Sequence, residues 1–83
     1  MSFYAYILQS DSTGRLYKGH CESLEDRLAA HNSGKTRSIK FGIPWKVIYY
    51  EEFETREEAI NRERYFKSSA GRRFLRSKGI GKE

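Results

Sequence analysis

The run Phe3 to Leu8, FYAYIL, constrains the fold of this chain more than any other stretch. It is rich in aromatic and branched residues, so it reads as a strand, with Tyr4, Tyr6 and Leu8 on one face and Phe3, Ala5 and Ile7 on the other. Both faces are largely apolar. A strand of this kind must be covered on both sides, which makes it the central strand of a small sheet with packing layers above and below. The turn cluster Asp11-Ser12-Thr13-Gly14 follows, and Leu16 to His20 returns antiparallel as the second arm of a hairpin. The expected fold class is therefore α+β, a three-stranded antiparallel sheet flanked by helices.

The remaining elements follow from periodicity and caps. Ser23 followed by Asp26 signals the start of a short helix over Leu24 to His31, and Asn32-Ser33-Gly34 signals its stop. Leu24 and Leu28 give this helix an apolar stripe, with Arg27 and His31, also four apart, on one face beside it. The segment from Gly34 to Pro44 carries Lys35, Arg37 and Lys40 between glycines and reads as a mobile basic loop. Trp45 to Phe53 is the third strand, in which Trp45, Val47, Tyr49 and Phe53 alternate with Lys46, Ile48, Tyr50 and Glu52. Thr55 and Glu58 form a second capping box, opening a helix that runs to about Lys67 and buries Ala59, Ile60 and Phe66. Glu63 falls inside that buried sector, whereas Glu57, Arg62 and Arg64 can face water. A carboxylate so placed is costly without compensation, which calls for a metal ion or a buried arginine beside it. Gly71 is expected to separate this helix from a short terminal helical piece, where Phe74 and Leu75 pack, Arg72 and Arg73 stay wet, and the chain frays from about residue 78.

Length admits a single domain over residues 1–83, since so short a chain builds only a modest core. Cys21 is the only cysteine, which rules out an internal disulfide and a cysteine zinc cluster. No stretch approaches the roughly 20 apolar residues of a membrane span, so the chain is expected to be soluble and cytoplasmic, with no membrane partner. Sixteen Lys and Arg against eleven Asp and Glu leave a formal charge of +5, which favours an anionic partner, with nucleic acid the leading candidate.

In their order along the chain, Tyr4-Ala5-Tyr6, then Tyr17-Lys18-Gly19 about ten residues on, then Arg27 ten residues after Tyr17, then Glu63 on a later helix, form a set. In that set the chain resembles the GIY-YIG nuclease superfamily, which includes homing endonucleases, some restriction enzymes and the incision subunit of bacterial nucleotide excision repair. The run PWKVIYYEEFETREEAINRERYFKS looks like the small stand-alone members, and the resemblance covers nearly the whole chain. It departs from the family pattern at Tyr4, where the family name has glycine, and at Lys18, where the usual residue is apolar. Buried, Lys18 must snorkel or pair; exposed, it adds to a DNA-facing surface.

The resemblance implies a metal-dependent endonuclease acting on DNA ahead of RNA, a DNA-repair type of chemistry, with Tyr6, Tyr17, Arg27, His31 and Glu63 as catalytic residues. Glu63 would hold the metal, Mg2+ with Mn2+ as the alternative, and one carboxylate makes a two-metal site an unneeded assumption. Arg27 suits the phosphate through its planar fork, although an ion pair with Glu63 is the competing structural explanation. Tyr6 and Tyr17 would orient or deprotonate the water, and His31 would relay a proton; core aromatics and a helix-end histidine are the competing explanations. Lys18, Lys35, Arg37, Lys40, Arg72 and Arg73 are candidate nucleic-acid contacts, and the chain is expected to act as a monomer or weak dimer. Two other classes compete: a nucleic-acid-binding domain without turnover, and a protein-interaction module for an acidic partner.

Overall fold

The computed structural model describes residues 2–35 and 37–80. Three antiparallel strands, β1 (Phe3–Ser10), β2 (Leu16–Cys21) and β3 (Trp45–Phe53), form one sheet in the order β2-β1-β3. Helix α1 (Leu24–Asn32) follows β2, and α2 (Arg56–Lys67) and α3 (Ser69–Ser77) follow β3. As its two apolar faces require, β1 lies in the centre, with Ala5, Tyr6, Ile7 and Leu8 all at most 1% exposed.

Each face of β1 seeds its own core. Tyr6 and Leu8 pack with Cys21, Ile39 and Trp45, and the apolar stripe of α1, Leu24 and Leu28, closes over them. Ala5 and Ile7 pack with Phe66 and Leu75 from α2 and α3. The sheet is thus sandwiched between α1 on one side and α2 with α3 on the other.

β3 departs from simple alternation. Ile7 pairs with Tyr49 but Leu8 pairs with Val47, so Ile48 is an extra residue in a bulge. Trp45 and Val47 therefore pack on the α1 side, while Ile48, Tyr49 and Phe53 pack on the α2 side. The expected single face holding Trp45, Val47, Tyr49 and Phe53 is split by that one residue.

The basic segment is not a plain loop. Arg37–Gly42 forms a 3₁₀ turn in which Ile39 is buried, and the indole of Trp45 donates to the Ile39 carbonyl at 2.9 Å. Asn32 at the end of α1 clamps the start of β3: Trp45 N–H donates to Asn32 Oδ1 at 2.6 Å, and Asn32 Nδ2 donates to the Trp45 carbonyl at 2.9 Å. Ile39 in the core, Ile43 packed against it and the Asn32 amide at the start of β3 together tie the charged segment down.

On the other side, α2 begins with the full capping box expected at Thr55 and Glu58. Arg62, expected in water, instead grips Glu51 of β3 through Nε and Nη2 at 2.7 and 3.2 Å and lies over the rings of Tyr65, Phe66 and Phe74. Gly71 does not end a helix; it lies in the first turn of α3, where an added Cβ would sit 1.7 Å from the carbonyl oxygen of Tyr65. Ser68 caps α3 by accepting from Gly71 N–H, so the two helices meet in a tight corner. The tail is ordered further than expected, since Ile80 N–H donates to the Leu75 carbonyl at 2.9 Å and Ile80 packs on the core. Residues 81–83 of the expected frayed tail lie outside the described residues.

Candidate active site

Strand alternation distributes the site between the two faces of the edge strand β2. Its register sets Gly19 opposite Tyr6 and Tyr17 opposite Leu8, on the α1 side, and His20 opposite Ala5 and Lys18 opposite Ile7, on the α2 side. Tyr6, Tyr17, His31 and Arg27 thus belong to one side, and Glu63 with His20 to the other.

Gly19 makes room for the Tyr6 phenol on the α1 side. A Cβ there would lie 2.5 Å from the Tyr6 hydroxyl and 2.7 Å from its ring carbon Cζ, so the phenol tip rests on the strand backbone where a side chain would otherwise stand. The Tyr6 hydroxyl shares a hydrogen bond of 3.2 Å with Nε2 of His31, which is buried at the end of α1. His31 Nδ1 has no partner among the described residues, so the Tyr6 hydroxyl is the contact that orients the ring. Tyr17 completes an aromatic cluster, its ring 6.4 Å from Tyr6, 4.9 Å from His31 and 6.3 Å from Trp45. Tyr17 is half-buried where Tyr6 is sealed.

Electrostatics link the two sides. Burial, reinforced by Tyr17, pushes the Tyr6 phenol well above its ordinary range, while the charge of Arg27 pulls it down and that of Glu63 pushes it up. Helix residues from opposite layers therefore both act on one hydroxyl. Burial and the Arg27 charge hold the His31 imidazole below its ordinary 6.5, so it is neutral at neutral pH. Burial likewise raises the Cys21 thiol, an inert buried residue in the core.

Glu63 is compensated, but not by arginine. His20 Nδ1 donates to its Oε1 at 2.7 Å and Lys67 Nζ to its Oε2 at 2.8 Å. Burial works to raise this carboxyl, and the bonds from Lys67 and His20 outweigh it, holding it below its ordinary 4.5. Its side chain keeps 18% exposure, enough to meet solvent. Among the described residues no carboxylate pairs with Arg27, which excludes the competing ion-pair explanation. Arg27 instead lines an open pocket of about 480 Å³ together with His20, Cys21, Glu22, Asp26 and Arg56. Arg27 and the His20 partner of Glu63 thus face the same hollow, whereas Tyr6, Tyr17, His31 and Glu63 are not among the residues that line it.

His20 escaped the sequence reading. The signal was available: it falls one residue past Gly19, hence on the face toward which α2 turns Glu63. Of the candidate nucleic-acid contacts, Lys35, Arg37, Lys40, Arg72 and Arg73 are exposed, Arg37 and Lys40 in the 3₁₀ segment, Lys35 ahead of it and the last two on α3. Lys18 is half-buried on the α2 side.

A family model described as the GIY-YIG catalytic domain matches residues 2–76. The chain belongs to the GIY-YIG family. UPF0213 proteins of Streptococcus pyogenes serotypes M5 and M2 are each 39% identical over 66 residues, which cover 77% of this chain and 70% of theirs. The solution NMR structure of the UPF0213 protein BH0048 from Bacillus halodurans is 29% identical, with a TM-score of 0.55 over 99% of this chain and 89% of that one. The GIY-YIG family is a nuclease family, generally dependent on a divalent metal ion. No described helix is long and apolar enough to cross a membrane.

Proposed function

We propose that this GIY-YIG chain is an endonuclease that hydrolyses phosphodiester bonds in DNA with one active site, using a divalent ion held by Glu63. One observation above all supports it: in a chain matched by the GIY-YIG catalytic domain, Arg27 lines one open pocket with His20, whose Nδ1 donates to Glu63, while the Tyr6 hydroxyl is bonded to His31 Nε2 under the same helix α1.

The donor set suits a hard cation held loosely. Glu63 offers carboxylate oxygens that meet solvent, and among the described residues no group of three or more His, Cys, Asp or Glu surrounds it. Mg2+ accepts such a site, since one or two carboxylates with water and phosphate oxygens complete its shell; Mn2+ substitutes. When bound, the ion supplies Lewis acidity at the phosphate and stabilises the departing oxygen. Arg27 contacts the scissile phosphate through its fork and offsets the negative charge that develops there. Tyr17, the solvent-reachable phenol, orients the attacking water and accepts its proton as it passes its own phenol proton to neutral His31, whose ring centre lies 4.9 Å from that of Tyr17. Tyr6 stays neutral and fixes the His31 ring. Lys35, Arg37 and Lys40, with Lys18, Arg72 and Arg73, supply backbone contacts of low sequence content.

A panel of supercoiled plasmid, branched and single-stranded DNA, incubated with purified protein and Mg2+ or Mn2+, tests the reading. Cleavage that disappears with EDTA, in Glu63→Ala and in Arg27→Ala supports it; cleavage untouched by Glu63→Ala rejects it. A nucleic-acid-binding domain without turnover is favoured by a different observation, that both oxygens of Glu63 already accept bonds, from His20 and Lys67. Salt-sensitive DNA binding with no metal-dependent cleavage on any substrate would select that alternative.

A further inference from the structure

The pocket beside Arg27 holds a second guanidinium that the motif does not include. Arg56 opens α2, directly after its cap Thr55, and its guanidinium lies over the Phe3 ring at 5.2 Å and pairs with Glu22 Oε1. Arg27 comes from α1 and Arg56 from α2, so one open hollow is lined by a fork from each of two helices, and by His20 of β2. Both members of the Arg56–Glu22 pair stay about half exposed, at 54% and 46%. Exposed ion pairs of this kind are weak, whereas an arginine fork on a phosphate gains two charge-assisted bonds.

We propose that Arg56 is a second phosphate-binding residue, which receives a backbone phosphate flanking the one at Arg27, and that Glu22 occupies its fork until nucleic acid displaces the carboxylate. The inference rests on reading this pocket as the place where nucleic acid enters. Phe3 holds the guanidinium in place, so binding exchanges one anion for another without rebuilding the wall. Glu22 thereby weakens capture of short or poorly seated anions and leaves a multivalent backbone to outcompete it.

The test is fluorescence anisotropy of labelled DNA oligonucleotides, single-stranded and duplex, at low salt in EDTA, with the full chain. Arg56→Ala is expected to weaken binding about tenfold and to lower the slope of log affinity against log salt by about one. Glu22→Gln is expected to tighten binding about twofold to fivefold, the range set by the strength of an exposed pair. The double variant Glu22→Gln with Arg56→Ala must match Arg56→Ala alone, because Glu22 acts through Arg56. Glu25→Gln, one turn of charge removed outside the pocket, controls for the general loss of a negative charge. Equal tightening by Glu22→Gln with and without Arg56, or equal effects of Glu22→Gln and Glu25→Gln, would overturn the proposal. Cleavage of the same DNA in Mg2+ is read separately. Cleavage without Glu22–Arg56 coupling overturns this proposal and leaves the nuclease reading intact, while coupling without cleavage does the reverse. No DNA binding by the wild-type chain overturns both.

Discussion

Replacing Gly19 with alanine probes the one position where both halves of the site depend on an absent side chain. The new Cβ would meet the Tyr6 hydroxyl at 2.5 Å, Tyr6 Cζ at 2.7 Å and Tyr17 Cε1 at 3.2 Å. Tyr6 is 1% exposed and cannot swing into solvent. Alanine in a strand gains roughly 0.5–1 kcal/mol over glycine by restricting the unfolded chain. Against this, overpacking a dense core costs about 1–3 kcal/mol, and displacing the phenol breaks its bond to His31, worth about 1 kcal/mol. The net expectation is a loss of about 1–3 kcal/mol, a fall in melting temperature of about 5–20 °C for a chain of this size. Urea and thermal unfolding of Gly19→Ala, Tyr6→Phe and the double variant measure it. Tyr6→Phe removes the atom 2.5 Å away, so the double variant should be less destabilised than the sum of the singles. A Gly19→Ala protein as stable as the wild type, or strictly additive effects, would refute the claim that the Tyr6 tip occupies the space above Gly19.

Other outcomes follow from the same geometry. Arg27→Lys should lower cleavage at least about tenfold, because an ammonium lacks the fork, yet shift stability by no more than about 0.5 kcal/mol, since Arg27 is exposed and pairs with no carboxylate among the described residues; single-turnover rates beside melting curves check both. His31 is held neutral below its ordinary 6.5, so the unfolded chain binds more protons and stability should fall as pH drops below about 6.5; His31→Asn should flatten the melting temperature between pH 7 and 5, above the range where Glu63 and Glu51 titrate. Gly71→Ala, a change that ordinarily favours a helix, should destabilise by more than about 2 kcal/mol, because its Cβ meets the Tyr65 backbone carbonyl rather than a yielding side chain; denaturant midpoints report the sign.

The layers of the fold were legible because they follow from local rules. Two apolar faces on Phe3 to Leu8 require a covered central strand, and the cap residues Ser23 and Thr55 mark helix starts that the structure repeats. What escaped depends on single residues whose meaning is set across the fold. Ile48 looks like one more alternating position, and only the pairing of Ile7 with Tyr49 and Leu8 with Val47 turns it into a bulge. Ile39 sits in a basic run whose average character is solvated, yet it is buried, and with Ile43 it packs the segment onto the core beside Trp45. Gly71 carries the composition signal of a breaker, and its actual use, a close approach to Tyr65, exists only once two helices meet. The two partners of Glu63 differ in this respect: Lys67, four residues on along α2, is an i, i+4 pair that the sequence spacing already offers, whereas His20 meets Glu63 only once β2 and α2 are brought together.

The reactivity proposed for the site depends on Glu63 of α2, the acid that His20 and Lys67 hold. Purified wild-type chain and Glu63→Gln, matched in melting temperature to within a few degrees, should be compared for cleavage of one labelled DNA substrate with and without Mg2+. The wild type is expected to cut only with the ion, and Glu63→Gln to bind the DNA yet leave it intact. Equal cutting by the two proteins, or cutting by the wild type in EDTA, would contradict it.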